Sequence, residues 1–213
     1  MATVLVIGAS KGIGLETVKS ALEAGHTVRA MARSAGHIRI RNPNLKKISG
    51  DALDQTAVKA ALEGVDAVLQ TLGVSAGPSM MLKPVRLFSE ATRVLVTAMT
   101  EPAVNRLISV TGFGAGDSRH RGGCVYNTAL QLFLSRAYED KDVQEDLIQE
   151  SGLDWAIARP VILTNGSKTG RYHVLVDPGS WRIGFISRAD VADFLVRQID
   201  DDTYLGKTPV LTG

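Results

Sequence analysis

Gly8-Ala9-Ser10-Lys11-Gly12-Ile13-Gly14 decides the fold because of what stands on either side of it. Before it, Thr3-Val-Leu-Val-Ile7 is a continuous apolar, β-branched run, the pattern of a strand buried on both faces. After it, Ile13, Thr17, Val18, Ala21 and Leu22 recur at helical spacing until Gly25 supplies a stop. Strand, glycine-rich turn and helix in that order are the context in which such glycines read as a dinucleotide fingerprint. Gly8 turns tightly out of the strand, Gly12 lets a pyrophosphate approach the backbone, and Gly14 seats the helix against the sheet. Unpaired N–H groups at the helix start face that anion, and the helix dipole favours it. Gly8, Ser10, Lys11, Gly12, Ile13 and Gly14 are the candidate contacts there.

The same unit then repeats down the chain. Strands are expected at His26 to Ala32, Leu45 to Ser49, Asp66 to Thr71, Arg106 to Val110 and Asp154 to Ala158. Helices are expected at Thr56 to Leu62, Leu82 to Met99 and Leu130 to Glu150. Alternation with short connections implies an α/β fold of Rossmann type: a doubly wound, mostly parallel sheet of six to seven strands with helices on both faces. The last fifty residues are less regular. Tyr172 to Val176 and Pro209 to Leu211 are strand candidates, and Ser187-Arg-Ala-Asp190 reads as a cap before a helix at Val191 to Gln198. Two glycine-rich loops, Gly73 to Pro78 and Gly112 to Gly123, follow the C-terminal ends of strands, the sheet edge where such folds bind ligands.

A chain of 213 residues supports one domain, 1–213, and a sheet of this size leaves only a small substrate-covering part, about 160–213. Hydrophobic residues make up 45% and charged residues 22%, with a net charge of +2. No basic stripe stands out, so no nucleic-acid partner is expected. Cys124, the single cysteine, excludes an internal disulfide and a cysteine-based metal cluster. Neither the histidines nor the carboxylates show metal-ligand spacing, so no metal is expected. No stretch approaches the roughly 18 apolar residues of a membrane span, and the N-terminal apolar run is too short for a signal sequence. These features together fit a cytoplasmic protein with no membrane partner.

The end of the second strand selects the cofactor. In NAD-binding units an acidic residue, roughly 20 positions beyond the glycines, takes the ribose hydroxyls. Here Ala30-Met-Ala-Arg33-Ser34 offers a guanidinium and a hydroxyl and no carboxylate. Arg33 suits a 2′-phosphate through paired charge-assisted bonds, with Ser34 beside it and Lys11 within reach. NADP(H) is favoured over NAD(H).

With that turn, Arg33 and Gly50-Asp51-Ala52 in hand, the chain resembles an atypical short-chain dehydrogenase/reductase of the NAD(P)H-binding family, similar to biliverdin/flavin reductase-like and NmrA-like proteins. Further markers are Thr71-Leu-Gly73, Lys141 with Glu145, and Ser151-Gly-Leu-Asp-Trp155 leading to Arg159-Pro160. The resemblance implies that Asp51 and Ala52 lie by the adenine and that Thr71, Leu72 and Gly73 line the ribose side. It also implies that Pro160, Val161 and Leu163 flank the nicotinamide.

Catalysis is where the chain departs from that pattern. The family's usual site is a Ser or Thr after strand five and a Tyr-x-x-x-Lys on the next helix, the lysine lowering the tyrosine's pKa. Lys141 matches the lysine, but Ala137 stands four residues before it and Tyr138 three. Both offsets share a helix face, although a rotation of about 100° per residue points the Tyr138 hydroxyl away from the usual place. Ser109 and Thr111 are the hydroxyl candidates after strand five, with Thr111 nearer the ligand edge. Lys141 is a candidate for the nicotinamide ribose, and His120 and His173 are alternative proton donors.

Two functions fit. The first is a reductase that moves hydride from NADPH to a small planar acceptor such as a flavin, quinone or carbonyl compound, which tolerates the missing tyrosine if water supplies the proton. The second is a non-catalytic NADP-sensing regulator of NmrA-like type. An epimerase or dehydratase fits less well, because the large C-terminal substrate domain is missing. The helices after strands four and five offer surfaces for a homodimer.

Overall fold

The computed structural model describes residues 1–74, 86–100, 104–119 and 128–213. Its strands are β1 (Thr3–Ile7), β2 (Thr27–Ala32), β3 (Leu45–Ser49), β4 (Ala67–Gln70), β5 (Arg106–Val110), β6 (Asp154–Pro160), β7 (Ile162–Thr164), β8 (His173–Leu175), β9 (Phe185–Ser187) and β10 (Val210–Thr212). Its helices, numbered here in chain order, are α1 (Gly12–Glu23), α2 (Gln55–Leu62), α3 (Leu87–Met99), α4 (Thr128–Gln149) and α5 (Arg188–Arg197).

Eight strands form one sheet in the order β3-β2-β1-β4-β5-β6-β10-β8. Every pairing in it is parallel except β10 with β8, which is antiparallel. The sheet exceeds the six to seven strands expected because β8 extends it past β10. The chain lays β1, β2 and β3 outward in one direction and then returns to the other side of β1 with β4. That reversal leaves a crevice at the C-terminal ends of β1 and β4, the switch point of a doubly wound sheet.

Alternation along the strands divides the core in two. Val4, Val6, Val28, Ala30 and Leu69 face α1 and α5, packing with Val18, Ala21, Val191 and Phe194. Leu5, Ile7, Met31, Val68 and Leu107 face the opposite layer, with Val58 and Leu62 of α2 and Leu95 and Met99 of α3. This is the period-2 pattern of a sheet covered on both faces.

Three helix starts are fixed by carboxylates and hydroxyls. Asp54 caps α2 by accepting from Thr56 N at 2.9 Å and Ala57 N at 3.3 Å, and the Ser187 hydroxyl caps α5 by accepting from Asp190 N at 2.9 Å. The α3 start is capped from another helix: buried Asp140, on α4, accepts from Phe88 N at 2.8 Å and Ser89 N at 3.4 Å, and from the Ser89 hydroxyl.

The region after β6 adds a pair that periodicity does not announce. β7 and β9 form a separate two-stranded parallel sheet, with Leu163 opposite Ile186. Of the expected segments, the beginning of the Leu82 to Met99 helix, most of the loop after Gly73, the end of the Gly112 to Gly123 loop with His120, and Cys124 lie outside the described residues. No described helix is long and apolar enough to cross a membrane.

Candidate functional site

Three backbone segments nearly touch at the turn between β1 and α1. Gly8 has φ +88°, and a Cβ there would stand 2.8 Å from the Thr71 carbonyl oxygen. The N–H groups of Gly8 and Ala9 both donate to Met31 O, at 3.0 and 3.2 Å, and the Thr71 hydroxyl donates to Ile7 O at 2.8 Å. The turn therefore hangs between the ends of β2 and β4. Gly14 packs inside it with its Cα against the Gly8 carbonyl, so α1 starts as close to the sheet as backbone allows. Gly12, at φ +60°, adopts a backbone that side-chain-bearing residues rarely take.

In contrast to α2 and α5, no side chain caps α1, and no acidic residue stands in its first turn. Its leading N–H groups lack the side-chain acceptor that the other two helices have. Such an end opening on a cavity is a seat for an anion.

That cavity holds about 650 Å³ and follows the C-terminal ends of the strands. Gly8, Ser10, Lys11, Gly12 and Ile13 line it from the turn. Arg33 and Ser34 line it beyond β2, Asp51 and Ala52 beyond β3, and Thr71, Leu72 and Gly73 beyond β4. Thr111 lines it beyond β5, Tyr138 and Lys141 from α4, and Pro160 and Leu163 from the end of β6 and from β7. Gly14 and Val161, expected as contacts, are not lining residues. Val161 is buried in the core, its N–H donated to Leu211 O at 3.1 Å. His173 is exposed on β8 and does not line the cavity.

Among the described lining residues, Lys11, Arg33, Lys141 and Arg188 are cationic and Asp51 is the one carboxylate. A cleft with that balance concentrates positive potential and suits a ligand carrying several phosphates. The tight glycine turn, the uncapped helix and these cations together fit the pyrophosphate of a dinucleotide.

The far end of the cavity rests on a buried polar network. The Thr111 hydroxyl donates to Glu145 Oε1 at 2.6 Å, and Arg159 bonds the same carboxylate through Nε at 3.1 Å and Nη2 at 2.5 Å. Arg159 Nη1 also reaches Asp117, and its guanidinium stands 5.7 Å from the Trp181 ring centroid. Both Arg159 and Glu145 are 1% exposed. Burial would lower the Arg159 pKa, but hydrogen bonds and charge from Glu145 and Asp117 outweigh it and hold it above the ordinary value.

Lys141 Nζ donates to the main-chain oxygen of Thr111. It stands 5.1 Å from the Phe88 ring centroid and 5.8 Å from that of Tyr138. Burial lowers its pKa from 10.5 to about 8, with the Glu145 charge acting against the shift. A Cβ on Gly112 would lie 3.5 Å from both Lys141 Nζ and Tyr138 Oη, so the two donors converge on the bend after β5. Ser109 does not join them. Its hydroxyl is held in a buried cluster, donating to Gln70 Oε1 at 3.1 Å and accepting from Gln144 Nε2 at 3.1 Å.

Sequence reading missed Arg188. Its Nη1 donates to Thr164 O at 3.0 Å and Asn165 Oδ1 at 2.7 Å, and its Nε is 4.0 Å from where a Cβ on Gly12 would be. This places a guanidinium over the glycine turn from the opposite lip of the cavity. A signal exists: a cation in the first turn of α5 runs against the helix dipole, a hint that it is there for another reason.

Comparison with known proteins agrees with this architecture. The chain is 29% identical to chloroplastic TIC 62 of Arabidopsis thaliana over 176 residues, which is 74% of this chain but only 26% of TIC 62. It is 24% identical over 201 residues to the uncharacterized protein YwnB of Bacillus subtilis, covering 92% of this chain and 90% of that one. Among solved structures, ChuY of Escherichia coli O157:H7, described as an anaerobilin reductase, superposes with a TM-score of 0.81 at 25% identity, covering 99% of this chain and 96% of ChuY. A model of the family described as NAD(P)H-binding matches residues 8–202, most of the chain, and so the protein belongs to the NAD(P)H-binding family.

Proposed function

We propose that the protein is an NADPH-dependent reductase that delivers hydride to a small planar acceptor such as a flavin, a quinone or a carbonyl compound. The observation that carries this reading is the single cavity joining the glycine turn and Arg33 at one end to Thr111, Tyr138 and Lys141 at the other. The glycine turn and Arg188 hold the pyrophosphate, and Arg33 with Ser34 holds the 2′-phosphate. Asp51 and Ala52 border the adenine, Thr71 to Gly73 the ribose side, and Pro160 and Leu163 the nicotinamide. The cofactor supplies a hydride, and with it two electrons, to the acceptor. Lys141, with its lowered pKa, or water supplies the proton that completes the reduction. Tyr138 borders the same space as a second donor. ChuY, a reductase with the same architecture, supports this chemistry.

The test is to mix the purified protein with NADPH and a panel of flavins, quinones, aldehydes and anaerobilin. Loss of the nicotinamide absorbance with at least one acceptor is expected, and no loss with any of them overturns the reading.

A second reading, a sensor of the NADP redox state without turnover, is favoured by one observation. The cavity wall carries Ala137 where a catalytic tyrosine would stand four residues before Lys141. A sensor binds NADP⁺ and NADPH with different affinities in the absence of any acceptor and captures a protein partner with only one of them.

A further inference from the structure

We infer that Glu145 sets the polarity of the Thr111 hydroxyl, so that this hydroxyl accepts a hydrogen bond from the ligand and does not donate one. The inference rests on the reading of the cavity as a dinucleotide and acceptor site, and it adds which kind of ligand group Thr111 recognises.

A threonine hydroxyl has one proton and two lone pairs, and an ionised carboxylate offers acceptors only. Thr111 Oγ1 lies 2.6 Å from Glu145 Oε1, which commits the hydroxyl proton to Glu145. The carboxylate has its own reason to stay where it is. Arg159 grips it through two nitrogens, and a guanidinium has donors only. Thr111 lines the cavity, and with its proton committed to Glu145 its hydroxyl has only lone-pair density left to offer a ligand there. The group it meets must carry an N–H or O–H: a hydroxyl of the nicotinamide-side ribose or the carboxamide on the dinucleotide, or a donor on the acceptor molecule. A bare carbonyl oxygen finds no donor in this hydroxyl and must be met by another group of the cavity, such as Lys141 or Tyr138. Glu145 touches no ligand, since it is 1% exposed and absent from the cavity lining, and it acts as a positioning residue.

Glu145→Gln makes this testable. Arg159 donates to both oxygens, Nε to Oε1 and Nη2 to Oε2, so the new amide must turn its NH₂ against one of them; keeping the oxygen on the shorter Nη2 contact gives up the Nε bond and leaves the NH₂ group toward Thr111. The hydroxyl then accepts from the amide and turns its proton into the cavity, facing the ligand donor with a second donor.

The experiment measures dissociation constants for NADPH and NADP⁺ alone, and KM for whichever acceptor the panel identifies, in the wild type, Glu145→Gln, Thr111→Val, Thr111→Ser and the double variant Glu145→Gln/Thr111→Val. One lost hydrogen bond predicts about tenfold weaker binding in Glu145→Gln and in Thr111→Val. Thr111→Ser retains wild-type affinity, and the double variant is no weaker than Thr111→Val. A change in the dinucleotide constants assigns the donor to the dinucleotide, whereas a change in acceptor KM alone assigns it to the acceptor. A merely structural role for Glu145 lowers thermal stability and leaves these constants within twofold, which overturns the inference, as does a double variant whose losses multiply. Should Glu145→Gln fail to fold, Glu145→Asp keeps the charge beside Arg159, withdraws it from the hydroxyl, and carries the same comparison with a smaller loss. A wild type that binds neither dinucleotide overturns the parent reading. A wild type that binds, with an indifferent Glu145→Gln, overturns this one alone.

Discussion

Gly14 faces Gly8 across a gap that no methyl group can enter: a Cβ at Gly14 would sit 2.2 Å from the Gly8 carbonyl oxygen and 2.6 Å from the Thr71 hydroxyl. All of these obstructing atoms are backbone or tied to backbone. Gly14→Ala must push α1 away from β1 and tilt the leading N–H groups of the helix. Overpacking of this kind predicts a loss of about 2 kcal/mol in urea unfolding, and titration calorimetry should find dinucleotide binding at least roughly tenfold weaker.

Arg33 and Arg188 border the same cavity but should answer to different parts of the ligand. Arg33→Ala removes the partner of the 2′-phosphate, so NADPH affinity falls by roughly ten- to a hundredfold and NADH affinity stays as it was. Arg188 stands beside Gly12, so Arg188→Ala weakens both dinucleotides by a similar factor, about tenfold. Equal losses for Arg33→Ala on NADPH and NADH would remove the case for NADPH preference.

Lys141 links stability and turnover to pH. Its pKa is 10.5 when unfolded and about 8 in the folded protein, so between these values the unfolded chain binds more protons and stability from this group rises with pH. Below about pH 8 its burial penalty is present in full. Denaturation from pH 7 to 11 should show that Lys141→Met lacks this rising contribution. If Lys141 is the proton donor, kcat with a carbonyl acceptor falls as pH rises through about 8, and the variant loses that limb.

Gly116 guards the network beneath Thr111. It has φ +56°, and a Cβ there would meet Arg159 Nη2 and Glu145 Oε2. Gly116→Ala therefore combines backbone strain with intrusion on a buried ion pair, and a destabilisation of roughly 3 kcal/mol is expected from thermal or chemical unfolding.

The central strands and the glycine turn were legible because each carries its own signal. Val4 to Ile7 must be apolar on both faces, and Gly8 and Gly14 sit where backbone meets backbone. The segments lining the cavity beyond β2, β3, β4 and β5 followed, since parallel strands deliver their ends to one edge. What stayed hidden depends on contacts distant in sequence. β7 and β9 have three residues each, too few to show alternation, and they exist because they pair. Asp140 resembles any solvated helix acid until α3 is placed beside it. Tyr138's place depends on such contacts too: it lines the cavity beside Gly112 and Gly114, glycines that leave its ring room.

The Asp140 cap has a mechanical consequence. One carboxylate on α4 holds amide protons at the start of α3, and the neighbouring turns of these helices carry Leu87, Phe88, Ala137, Tyr138 and Lys141 on the cleft wall. Sliding either helix along the other would strip those amides of their acceptor in a place water does not reach. That jaw of the cleft is cross-braced from helix to helix, while Arg188 reaches the same cavity from the start of α5, beside Gly12.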